Sequence, residues 1–359
     1  MINQINSYCI NNKTKRPILG NSAAPTVQTP NAADRFILEL EVNNKKEKNG
    51  NFLSRYFWSP TALLVSALPV LVYEYATLFR MKNLKKQCRK KDATLIYNLF
   101  KKNFKFALAG AIASYAGLEY FFNSRNDKNY KKLEENFKKL NTSTDAKLAG
   151  TFRSTYMGAY CNSPSGNIVI NRNLLNDPLM SRSLKKLIKH ELVHARQFET
   201  IARSKDGIKK LNYANVKQAA KIIEGNPVIL EDFRQVYKAV QEDKSGKYNG
   251  KIIHIQSETY DMKKYIESLN IVINNKNATY NDIPMIIDEE HYKKVIAQKG
   301  ALTPEEEKKA EEYFKALSDY SPVSAFDAYN PFGSYRNNAL EKEAYQENPS
   351  LLMKLFGKK

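Results

Sequence analysis

Leu184-Lys185-Lys186-Leu187-Ile188-Lys189-His190-Glu191-Leu192-Val193-His194-Ala195-Arg196-Gln197-Phe198 is the stretch that decides how this chain folds. Leu184, Leu187, Ile188, Leu192, Ala195 and Phe198 recur at helical spacing, so Leu184 to Ile201 is expected to form one helix with one core-facing stripe. At about 100° per residue, His190 and His194 fall together on one side of that stripe, and two imidazoles four residues apart can point at one ion. Glu191 falls inside the apolar sector, where a carboxylate is costly unless something satisfies it; a water held by a bound metal would do so. The chain has four histidines, and two of them sit in this motif. Chance produces the arrangement in roughly three of a thousand sequences of this composition.

Two histidines do not complete a catalytic Zn2+ site, which normally takes three protein ligands and leaves the fourth position to water. The best source of a third is Asn338-Ala339-Leu340-Glu341-Lys342-Glu343-Ala344-Tyr345-Gln346-Glu347. Asn338 and Glu341 have the spacing of a capping box, which gives Glu341 a structural task at a helix start and leaves Glu343 to face the metal. Glu347, one turn on, is placed to accept a hydrogen bond from the far nitrogen of a ligating histidine. Glu199, Glu224, Glu289 and Glu290 stay open as alternative ligands.

The pairing of HELVHARQ at 190–197 with YRNNALEKEAYQ at 335–346 resembles the gluzincin branch of the zincin metallopeptidases. Gln197 and Thr200 stand where the metzincin pattern requires Gly and a third His, which excludes that arrangement. The resemblance implies a Glu-Ala pair on a second helix as source of the third ligand, which maps to Glu343 and Ala344. It also implies an upstream edge strand that binds substrate backbone, matched in placement by Asn167-Ile168-Val169-Ile170-Asn171. Members of the branch often stabilise the transition state with a His or Tyr beyond the third ligand. No histidine follows Glu343, so Tyr335, Arg336, His254 or His291 would have to serve. The expectation is a Zn2+ peptidase with Glu191 as general base and a peptide or protein substrate. The alternative is a Zn2+-stabilised binding protein of the same fold without turnover, against which the presence of Glu191 argues.

The remainder of the chain fixes the setting. Residues 1–56 are rich in Asn, Thr, Pro and Lys and read as a disordered tail with no signal peptide. Phe57 to Phe79 carries one charge, Glu74, and Phe104 to Phe122 carries Lys105 and Glu119; both suit a bilayer span of about 20 residues. A two-helix transmembrane hairpin over 57–122 is therefore expected, with a basic loop at 80–105. Ala107, Gly110, Ala111, Ser114 and Gly117 offer it a small-residue packing face. The loop holds ten Lys and Arg against Asp92, while the outer flanks hold eight, so the charge rule votes only weakly for a cytoplasmic loop.

A domain over 128–359 follows, mainly α with a small β-sheet. One strand is read at 167–171, and helices at Val216–Ile223, Asp232–Gln241 and Thr303–Leu317, the last opened by Thr303, Pro304 and Glu306. The net charge of +20 is spread along the whole length. With no aromatic-basic register or Cys/His finger, it reads as a solvated surface or as attraction to an anionic lipid bilayer, and no nucleic-acid partner is expected. Cys9, Cys88 and Cys161 form neither a disulfide framework nor a thiolate site.

Overall fold

The computed structural model describes residues 59–152, 158–178, 180–255, 258–320 and 337–347. The tail read over 1–56 lies outside them, as do Tyr335 and Arg336. The described chain is mainly helical with a small sheet, as the α+β reading expected. In order the elements are α1 (Pro60–Lys86), α2 (Lys90–Asn123), α3 (Asn126–Leu140), β1 (Leu148–Thr151), β2 (Ala159–Cys161), β3 (Ile168–Asn171) and α4 (Met180–Arg203). Then come α5 (Gly207–Glu224), α6 (Pro227–Gln241), β4 (Ile252–Ile255), β5 (Glu258–Asp261), α7 (Met262–Asn274), α8 (Glu290–Lys299), α9 (Pro304–Asp319) and α10 (Ala339–Glu347).

Helix α4 carries the two histidines and is the centre of the domain, touching β2, β3, α5, α8, α9 and α10. It separates two apolar cores. Leu184, Ile188, Leu192 and Ala195 pack with Phe137 of α3 and with Ile168 and Ile170 of the sheet. Phe198, Ile201 and Ala202 enter a larger core built with α5, α6, α7 and α9. The predicted helices at 216–223, 232–241 and 303–317 lie within α5, α6 and α9, and α9 starts with the full Thr303–Glu306 capping box.

The sheet order is β1-β3-β2, with β3 parallel to β1 and antiparallel to β2. This corrects the reading of residues 167–171 as a substrate-binding edge. Their β-branched side chains make β3 the central strand, buried along its whole length, with backbone partners on both sides. The edge that meets α4 is β2.

Helices α1 and α2 form a packed hairpin. The basic stretch 80–105 is not a loop. Lys, Arg, Leu and Gln are good helix formers, so α1 runs on to Lys86, α2 starts at Lys90, and Cys88 turns the chain at φ 59°. The Tyr73 and Phe100 rings stack at 5.4 Å and set the register. Ala107 and Ala111 lie on the partly covered side of α2, whereas Gly110 and Gly117 face open space.

Among the described helices, α1 alone is long and apolar enough to cross a membrane. Helix α2 falls short because its apolar part includes Glu119 together with Gly110, Ser114, Tyr115, Gly117 and Tyr120, which lower its mean hydropathy. Among the described residues, the hairpin nevertheless carries eighteen of the twenty exposed large apolar side chains. Helix α1 is mostly exposed, unlike the core helix of a globular domain.

The turn from α4 to α5 admits only glycine at position 207, where a Cβ would lie 1.9 Å from the Ile201 carbonyl oxygen. Gly207→Ala should lower the unfolding free energy by about 1–3 kcal/mol in denaturant titration of the full chain, as overpacking does.

Candidate metal centre

One turn of α4 places His190 and His194 on the same side, and α10 crosses them with Glu341. His190 Nε2 lies 3.2 Å from Glu341 Oε2 and 3.3 Å from His194 Nε2, and His194 Nε2 lies 3.4 Å from Glu341 Oε1. A tetrahedral ion with bonds of about 2.0–2.1 Å has edges of roughly 3.3 Å between ligand atoms. The two imidazole nitrogens are one such edge apart and each has its own Glu341 oxygen at a similar distance; with one ligand atom taken from each residue, all three lie within 4.8 Å of one another. All three residues are buried. The cluster could hold a metal ion.

The carboxylate is Glu341, not the expected Glu343. Two residues along a helix is about 200° of rotation, so only one of the pair can face α4's histidines. The capping box that assigned Glu341 elsewhere does not form. Asn338 Oδ1 accepts the Leu340 N–H at 2.9 Å, and the Glu341 side chain turns inward.

Glu343 serves the site from behind. Its carboxylate accepts from Lys309 Nζ (2.9 Å), Tyr313 Oη (2.5 Å) and Gln197 Nε2 (2.7 Å). Gln197 Nε2 also donates to the Leu340 carbonyl at 3.1 Å. Both partners of that nitrogen can only accept, which fixes the amide orientation and leaves Gln197 Oε1 as an acceptor. It lies 2.9 Å from His194 Nδ1, so that nitrogen carries a proton, and the proton that a cation would displace is the one on Nε2. Glu347, expected behind a histidine, instead pairs with Arg196 at 2.5 and 2.6 Å on the surface, tying α10 to α4.

The electrostatics follow from burial. Desolvation raises the Glu341 carboxyl, but the neighbouring His194 and His190 outweigh it and hold the group well below the usual carboxylate range. Burial pulls His194 down, yet the adjacent Glu341 carboxylate and Glu191 push it up to about 9. Glu191 is raised above the ordinary carboxylate value by burial, against the lowering effect of His190 and His194. It also accepts a hydrogen bond from the Cys161 backbone N–H. That N–H belongs to β2. Asn162 N donates to Asn167 O, and Asn171 N to Gly158 O, so ladder alternation turns Ala159 and Cys161 away from β3, toward the outer edge beside Glu191.

The other acidic candidates lie elsewhere. Glu199 accepts from the Asp145 N–H at 2.7 Å and Lys299 Nζ at 2.5 Å. Glu224 pairs with Lys276, Glu289 with Lys293 and Glu290 with Lys294. His254 meets Thr259 on the β4–β5 hairpin, and His291 lies beside Gly166. Two residues escaped the sequence reading. Gln197 was legible only as one turn beyond His194, and Tyr345 as one turn beyond Glu341. The Tyr345 ring lies 4.6 Å from that of His190.

Glu341→Ala should abolish stoichiometric metal binding. Glu343→Gln should retain it at roughly 10–100-fold lower affinity, as loss of an outer support does; chelator competition reads both. In the metal-free protein His194 is protonated below about 9, and a cation must displace that proton. Affinity should therefore climb as pH rises toward that value and level off above it, as titration across the range would show.

No family model matches the chain, nor does any curated protein or solved structure.

Proposed function

We propose that the protein is a membrane-anchored peptidase that uses Zn2+ held by His190, His194 and Glu341. The observation that carries this reading is the buried cluster of three donors with a second buried carboxylate, Glu191, between it and a strand edge. A purely structural ion has no use for Glu191, and structural Zn2+ sites normally close all four positions with protein ligands. Donors of two imidazoles and one carboxylate suit Zn2+.

When bound, Zn2+ would supply Lewis acidity for the scissile carbonyl and acidify a water. The chain's own residues do the rest. Glu191, its pKa raised by burial, takes the water's proton and delivers it to the leaving amine. The outer edge of β2, with the Cys161 N–H held by Glu191, leaves the Ala159 N–H and carbonyl and the Cys161 carbonyl for main-chain pairing with an extended peptide, so it reads backbone more than side chains. Gln197, held by Glu343, keeps His194 in the tautomer that faces the ion. Anchoring rests on α1 and on the apolar surface of the hairpin, which is suited to lipid.

Glu191→Gln should keep stoichiometric Zn2+ and lose at least about 100-fold in hydrolysis of an unstructured protein substrate, the usual range for a general base. Equal activity in the two proteins would refute the enzyme. Zn2+ binding without turnover in either would favour the binding-protein alternative.

A further inference from the structure

The hairpin is joined to the segment that starts the metal helix by side-chain hydrogen bonds as well as by the chain itself, and one carboxylate reaches both helices. Asp177 Oδ2 accepts from Ser59 Oγ and from the Thr61 N–H, both at 2.8 Å. Its Oδ1 accepts from Thr61 Oγ1 at 2.7 Å and from the Met180 N–H at 3.0 Å. One carboxylate thus caps the first turns of α1 and α4 together. The other leg is held as well. Glu119 of α2 accepts the Ser59 N–H at 2.6 Å, and Asn126 of α3 donates to the Arg172 carbonyl at 2.7 Å and to Asn176 Oδ1 at 2.5 Å. Only Ser124 and Arg125 separate α2 from α3.

Exposed apolar surface begins at Leu63, one turn beyond this junction. His190 lies ten residues past Met180 on α4, a rise of about 15 Å. A tether for a peptidase acting on free substrates needs no more than a flexible linker, which leaves the site's height undefined. Here the start of α1 is fastened to the cap of the metal helix through Asp177, the α2 leg is tied to the same Ser59 through Glu119, and the site lies within about 20 Å of the first exposed apolar turn.

We propose that the substrate is a polypeptide itself attached to the bilayer, cut in a segment within about 20 Å of the surface, roughly six extended residues. The inference rests on the peptidase reading and names its substrate class. Confining both molecules to one surface raises their effective concentration, and the fixed height selects the peptide bond.

The test reconstitutes the Zn2+-loaded full chain in phosphatidylcholine–phosphatidylglycerol vesicles. The substrates carry one transmembrane helix followed by one unstructured segment, placed about 4, 8, 16 or 32 residues away, or the same segment without the helix. Mass spectrometry of the products should map cuts to the nearest placement, at least about 10-fold faster than in the free segment. The preference should vanish in detergent. Ser59→Ala/Thr61→Val loosens α1 while leaving the Met180 cap, and should spread the cuts outward without changing hydrolysis of the free segment. Cuts indifferent to distance, or a free segment cut as fast as the anchored one, would overturn this inference alone. Absence of cleavage in every substrate would overturn the peptidase reading with it.

Discussion

Glu341 is an ionised carboxylate removed from water between two imidazoles, and the arrangement of α4 and α10 depends on that contact. An isolated buried carboxylate is far too costly to persist, so its partners must be supplied by the same packing that buries it. His190 and His194 do this because they are one turn apart on a helix that passes through the middle of the domain. The negative charge in turn raises His194, and a divalent cation at the centre would relieve both effects at once. Attraction and desolvation are therefore balanced around a position suited to a small ion.

The polar network behind the site has a direction. Lys309 and Tyr313 on α9 donate to Glu343, Glu343 orders the Gln197 amide, and the amide oxygen receives the proton of His194 Nδ1. Each link is fixed by what its neighbour can donate or accept, so the tautomer at the ion follows from residues two helices away. On the other face, Glu191 accepts the Cys161 backbone N–H, which places the proposed base beside the outer edge of β2.

The part of this legible in the sequence was local. The periodicity from Leu184 to Phe198 and the spacing of two rare histidines gave the helix and half of the ion site. The third ligand was two residues out because the phase of α10 is set by how it crosses α4, which spacing along the chain does not encode. A plausible cap at Asn338 pointed the wrong way. The strand at 168–171 was found from its β-branched run, but its place in the sheet depends on β1 and β2, whose short sequences carry little strand signal. The apolar runs of the hairpin were visible, while its register was not.

Helix α10 has nine residues, fewer than the roughly 12–15 at which an isolated helix begins to persist in water. Its place is held by Glu341, the Leu340 carbonyl, Glu347 and Asn338, which donates to the Ala316 carbonyl at 2.9 Å. His190 and Glu341 are 151 residues apart, so an ion shared between them closes a very long loop. Such a cross-link restricts the unfolded chain more than a short one would, since closure entropy grows with loop length. The cation would then act as a clasp as well as a reagent. Its removal would release the C-terminal helix first, and with it the network that keeps His194 oriented for reloading.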